Sequence, residues 1–230
     1  MTSLVLVPGM MCDARLFTPQ IAAFSARHHL HLASLAQPGS ISDKARAILD
    51  HAPPRFALCG LSMGGIVAME ILHQAPDRVS RIALLDTNPL AEKDEVKERR
   101  QPQMAEVRAG GLASVMQQQV MPNYLSSSHE LPEVLDLCLD MALALGPDVF
   151  LDQSQALMAR PDQSETLASA DLPALVLCGR DDQLCPLERH QLMAGLIPGA
   201  TLDIIDGAGH LPTLEQPQHT NAALARWLEA

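Results

Sequence analysis

Aromatic residues are nearly absent from these 230 residues: they make up 3%, with one Trp and one Tyr. So sparse a supply argues against the stacking platforms that hold sugars or unpaired bases. Long apolar runs are missing too. None approaches the roughly 20 residues that a helix needs to cross a membrane, so no membrane association is expected. Positive charge is scarce, with 16 Lys and Arg against 27 Asp and Glu and a net charge of −11. A field of that sign repels a phosphate backbone, so nucleic acid is not expected as a partner. Cys12, Cys59, Cys138, Cys178 and Cys185 form no CxxC pair and no metal-like spacing. That argues against a disulfide framework or a zinc site. The N-terminal stretch lacks the basic region of an export signal and meets Pro8-Gly9 after a short apolar run. It reads as a buried strand, and a reduced, cytoplasmic location is expected.

What is present is enough apolar material, 47% against 19% charged, to bury a sizeable core. The apolar runs are short and end in turn residues. Leu4–Val7 stops at Pro8-Gly9, Phe56–Cys59 at Gly60, Ile82–Leu85 at Asp86, and Ala174–Cys178 at Gly179. Leu30–Ala33 and Leu202–Ile205 complete the set. Near-continuous apolar runs are the mark of strands covered on both faces. Helical patterns such as Ile66–His73 and Glu188–Leu196 lie between most of them. This alternation predicts an α/β fold: a mostly parallel sheet of about six strands with helices on both faces. The alternation breaks once, between Asp86 and Leu172, where only helical patterns occur. The reading is a core of residues 1–87 and 170–230, with a small helical cap, 88–169, inserted between two strands. In that cap Leu131, Val134, Leu135, Cys138, Met141, Ala142 and Leu145 share one helix face, which must be buried against the core or a pocket.

Gly60-Leu61-Ser62-Met63-Gly64 is G-x-S-x-G, directly after a strand and opening a helix. That context lifts a serine hydroxyl above the sheet edge on a strained turn, a nucleophile elbow. A serine hydroxyl needs a base, and the base needs an orienting acid. His210, in the Gly207-Ala208-Gly209 loop after the last strand, is the candidate base. Asp181 and Asp182 both follow the Ala174–Cys178 strand and are candidate acids, with Asp86 a third. An oxyanion requires backbone N–H donors. Met63, after the serine, and Met10, in the loop after the first strand, are placed to supply them. Met11, Leu61 and Leu211 adjoin these positions and are candidate pocket residues.

These motifs resemble the α/β-hydrolase superfamily, in its small capped serine branch of carboxylesterases and enol-lactonases. The likeness runs from the Pro8-Gly9-Met10 loop through GLSMGG and GRDDQLCP to GAGHLPTLEQP. The family's acid loop reads G-x-x-D-x-x-x-P, which implies Asp182 as the acid. It also implies a cofactor-free serine esterase with a catalytic triad of Ser62, Asp182 and His210 and an oxyanion hole at Met10 and Met63. Two features depart from the family: the two strands often found before the oxyanion loop are missing, and the usual His-Gly is Pro8-Gly9.

The implied activity is hydrolysis of ester, thioester or lactone bonds of small to medium acyl substrates through an acyl-enzyme. Carbon–carbon bond hydrolysis and 3-oxoadipate enol-lactone hydrolysis on the same residues are alternatives, and a small-molecule receptor is the alternative of another class. His28, His29 and His31 read as edge-strand positions, and no metal or cofactor is expected. The cap holds Arg99, Arg100, Arg108 and Arg160, but Glu92–Glu98 offsets the first cluster and Arg180 alone adjoins the triad loops. That balance favours a neutral or monoanionic ester over the enol-lactone. The oligomeric state is left open.

Overall fold

The computed structural model describes residues 3–128 and 131–230, so positions 1, 2, 129 and 130 of the ranges above lie outside it. The apolar runs form β1 (Ser3–Val7), β2 (His29–Leu32), β3 (Phe56–Leu61), β4 (Val79–Leu85), β5 (Ala174–Gly179) and β6 (Thr201–Ile205). They make one six-stranded sheet in the order β2-β1-β3-β4-β5-β6. Every pairing in it is parallel.

Side-chain alternation splits the core into two layers. Leu4, Leu6, Cys59, Leu61 and Leu177 face one side, while Val5, Val7, Leu58, Leu84 and Val176 face the other. β3 and β5 are buried along their whole length, whereas the edge strands β2 and β6 place His29, His31, Thr201 and Asp203 toward partial or full exposure. His29 and His31 are thus edge-strand residues, whereas His28, also expected there, lies in the bend before β2.

From β1 the chain moves outward to β2, then returns past β1 to β3 and continues outward on that side. The order therefore reverses between β1 and β3, where Val7 pairs with Gly60. A crevice opens at the carboxyl ends of strands where such a reversal occurs. Pro8-Gly9 and Ser62 are the residues at those two ends.

Between β4 and β5 the ordered elements are helical: Asp94–Arg108, Leu112–Val115 running into a π turn at Met116–Val120, Pro132–Leu145, Pro147–Met158 and Ser164–Ala168. The helices Asp94–Arg108 and Pro147–Met158 pack on each other. Val134, Cys138, Met141 and Ala142 are buried in the core layer that holds Leu4 and Leu61, and Leu131, Leu135 and Leu145 pack against it. The predicted stripe is therefore spent on the core: the helix Pro132–Leu145 lends no residue to the cavity described below.

Candidate active site

β3 ends at Leu61, Ser62 turns, and the helix Met63–Gln74 begins at once. Ser62 has φ +56°, a left-handed conformation that non-glycine residues rarely hold. Its N–H donates to the Leu85 carbonyl at 2.9 Å, which ties the turn to β4. Two glycines make the turn possible by close approach. A Cβ on Gly60 would sit 2.2 Å from the Gly64 oxygen, and one on Gly64 would sit 2.0 Å from the Val7 oxygen. No side chain fits at either place, so helix and strands lie backbone to backbone beneath the serine.

His210 follows β6 and reaches back over the sheet edge. Its Nε2 lies 2.8 Å from Ser62 Oγ, and its Nδ1 lies 2.9 Å from Asp182 Oδ2. Asp182 follows β5, and its other oxygen accepts the N–H groups of Leu184 at 2.8 Å and Cys185 at 3.0 Å. Burial pushes the Asp182 carboxyl up, but His210 beside it and those two N–H donors outweigh burial and hold it below the ordinary carboxylate range. The three side chains form one hydrogen-bonded line, which fits an acid–base–nucleophile arrangement.

The neighbouring aspartates stand elsewhere. Asp181 is exposed and accepts from the Ser126 hydroxyl. Asp86, at φ +44° on the end of β4, is fully buried and accepts the Gly179 N–H at 2.9 Å. Burial first, and then the Asp182 charge, push its carboxyl well above the usual range, so it favours the neutral form.

Several further residues, none of them singled out by the sequence reading, support this line. Glu215 accepts the N–H of Gly209 with both oxygens, and those of Leu211 at 3.0 Å and Ser126 at 2.8 Å, so it clamps His210 from both sides. Burial raises its pKa. The Tyr124 carbonyl accepts the His210 N–H at 2.7 Å, and its ring stacks on the imidazole. Thr87 Oγ1 donates to the Ser62 carbonyl at 2.7 Å, while its N–H donates to Nε2 of the buried His190 at 3.1 Å. Burial lowers the His190 pKa to about 4, which keeps the ring neutral and able to accept.

The loop after β1 packs on the serine: a Cβ on Gly9 would touch Ser62 Cβ at 3.4 Å. Met10 and Met63 both line a cavity of about 390 Å³ that also includes Ser62, His210, Leu61 and Leu211. Met63 is the first residue of its helix, where N–H groups have no intrahelical acceptor. Met11 is not a lining residue. Its φ of +55° turns it into the core, where it is 1% exposed, and its N–H donates to Gln153 Oε1 at 2.9 Å. Gln153 thus fixes the loop from the helical segment, and the expected pocket role of Met11 does not hold.

Among the described residues, one group offers metal-ligand atoms close together: Asp182, Cys185 and His210, within 4.8 Å of one another. Both His210 nitrogens are already engaged, and burial pushes the Cys185 thiol well up, away from the thiolate a metal needs. Cys12, the other thiol on the cavity, is raised in the same way.

The family model for the alpha/beta hydrolase family matches residues 4–223. A 3-oxoadipate enol-lactonase of Acinetobacter baylyi is 28% identical over 183 residues, covering 77% of this chain and 66% of that protein. A pimeloyl-[acyl-carrier protein] methyl ester esterase of Xanthomonas campestris is 26% identical over 242 residues, covering 99% of this chain and 95% of that protein. The solved structure of a thermophilic esterase from Thermogutta terrifontis, with malate bound, superposes at a TM-score of 0.91. It is 26% identical and covers 100% of this chain and 90% of its own.

Proposed function

The chain belongs to the alpha/beta hydrolase family and is an ester-hydrolysing enzyme, and we propose that it works through Ser62, His210 and Asp182 on carboxylic esters, thioesters or lactones of small to medium acyl groups. The observation that carries this reading is the line Ser62 Oγ–His210 Nε2–His210 Nδ1–Asp182, with links of 2.8 and 2.9 Å.

The chemistry runs in two halves. Ser62 Oγ attacks the substrate carbonyl while its proton passes to His210 Nε2. Asp182, held as the carboxylate, fixes the imidazole tautomer and stabilises the imidazolium. The oxyanion of the tetrahedral intermediate takes hydrogen bonds from the Met63 and Met10 N–H groups. The intermediate collapses, the bond to the leaving group breaks, and the imidazolium proton goes to the leaving oxygen or sulfur. Water then attacks the acyl-Ser62 ester with His210 as base, releasing the acid and the free hydroxyl. A cavity of about 390 Å³ suits a small or medium acyl group.

Turnover of a short-chain 4-nitrophenyl ester tests the reading. Activity that disappears in Ser62→Ala supports it. A folded protein that binds such esters without cleaving them would instead be a receptor. The enol-lactonase relative, and the dicarboxylate in the esterase neighbour, favour a second substrate on the same residues. A preference of more than about a hundredfold in kcat/KM for the enol-lactone of 3-oxoadipate over a butyrate ester, near 2.7 kcal/mol, would select it.

A further inference from the structure

The cavity beside Ser62 has a charge opposite to that of the chain. Its charged lining comprises Arg99, Arg100, Arg160, Arg189 and Lys93 against a single carboxylate, Glu92, in a protein of net charge −11. The acidic residues that the sequence sets against the arginines do not follow them here: Glu95 and Glu98 are exposed and lie off the cavity. Arg180 pairs with Asp206 at the surface, and Arg189 is the basic residue that reaches the cavity from the triad side.

Glu92 is shared. Its carboxylate, 3% exposed, accepts from Arg100 Nε at 2.5 Å and from Arg160 Nη1 at 2.6 Å, with those side chains 16% and 8% exposed. Two guanidiniums on one carboxylate leave one positive charge uncompensated in a largely buried place. Burial works against Arg160 in particular and lowers its pKa in spite of Glu92 beside it. Buried charge of this kind is costly unless an anion meets it. The cluster also stands close to the reacting serine. Arg100 Nη1 is 3.8 Å from Met10 Sδ, and Met10 follows the Gly9 that packs on Ser62.

We propose that Arg100 and Arg160, with Arg189, form a carboxylate subsite, so that the favoured substrates are half-esters of short dicarboxylic acids whose free carboxylate lies a few carbons from the scissile carbonyl. This rests on the serine-hydrolase reading and extends it to the substrate class. Arg100 Nε and Arg160 Nη1 are spent on Glu92 and Arg160 Nε on the Leu90 carbonyl at 2.9 Å, but each guanidinium has further N–H donors that can meet a carboxylate.

The test compares the mono-4-nitrophenyl ester of glutaric acid with 4-nitrophenyl pentanoate, which has the same leaving group and chain length. At low ionic strength the half-ester is expected to lead in kcat/KM by about tenfold or more. That ratio should shrink at about 0.5 M salt, where charges are screened within a few ångströms. It should fall by about tenfold in Arg100→Gln and in the half-exposed Arg189→Gln. Arg180→Gln, at the surface, should leave the ratio unchanged. A wild-type ratio of one or less overturns the proposal, as does a ratio that neither variant lowers. Binding is read separately in Ser62→Ala: glutarate raises its Tm and neutral glutaramide does not. No turnover of any ester by the wild-type protein, alongside that glutarate effect, would sink the hydrolase reading and keep the subsite. Turnover of the pentanoate ester with no glutarate effect would do the reverse.

Discussion

Two regions meet at the cavity and hold their residues in different ways. The loops ending β3 and β5 are fixed by backbone groups: the serine turn rests on a Val7–Gly64 approach that no side chain survives, and Asp182 is set by two N–H donors. The helical segment between β4 and β5 reaches the same cavity through side chains, above all the Glu92, Arg100 and Arg160 cluster. The difference teaches where change is tolerated. Backbone contacts of this tightness pin reacting atoms to fractions of an ångström, as catalysis requires. A wall of ion pairs can exchange charge without moving the sheet, which is why the proposed carboxylate subsite is placed there.

The largest effect should come from breaking the strand-end line. Asp182→Asn is expected to lower kcat/KM by about 10³–10⁴-fold, because it presents the wrong imidazole tautomer. Asp181→Asn should change it by less than about tenfold. Steady-state kinetics on one ester decides, and a crippling Asp181→Asn would place the acid one residue earlier. Next comes the clamp. Glu215→Gln gives up charged hydrogen bonds worth roughly 1.5–3 kcal/mol, so a fall of about 10- to 100-fold is expected, in kcat more than in KM.

Stability against pH sharpens the comparison through a buried group that touches no substrate. The folded His190 pKa of about 4 lies below its ordinary 6.5, so the unfolded chain binds a proton that the fold excludes. The stability tied to the neutral ring is therefore present above pH 6.5 and is lost as pH falls toward 4, in total about 3 kcal/mol. Urea unfolding across that window should show a dependence shallower by about one proton in His190→Gln. The smallest effect is expected at Asp86. Asp86 accepts the Gly179 N–H and stands outside the Ser62–His210–Asp182 line, so Asp86→Asn should alter kcat/KM by less than about tenfold. A loss as large as that of Asp182→Asn would make Asp86 the acid.

The same contrast governs what the sequence discloses. The central strands are legible because strands covered on both faces are near-continuously apolar, while the edge strands β2 and β6 show as shorter apolar runs broken by polar residues. Ser62 is legible because the Gly60 and Gly64 spacing is dictated by a close approach, and His210 and Asp182 because each lies in the loop that follows a strand. Choosing Asp182 over Asp181 takes a family register, since one residue of shift leaves the strand pattern unchanged. Gln153 and Tyr124 stay hidden because they act on a backbone group or through one, and such contacts leave no residue pattern; Glu215 lies in the GAGHLPTLEQP stretch, but its role as a clamp on backbone N–H groups is not legible there. Met11 misleads because a positive φ reverses the direction its side chain takes. The charge of the pocket is hidden most deeply. Glu92–Glu98 looks like one neutralising run, but only Glu92 turns inward.

The central claim is that the backbone-fixed serine is the reacting atom, and covalent labelling measures it most directly. After treatment with a fluorophosphonate, intact mass should show a single adduct per chain, peptide mapping should place it on Ser62, and Ser62→Ala should take no label. Labelling that persists in Ser62→Ala, or that maps to another residue, would contradict the account.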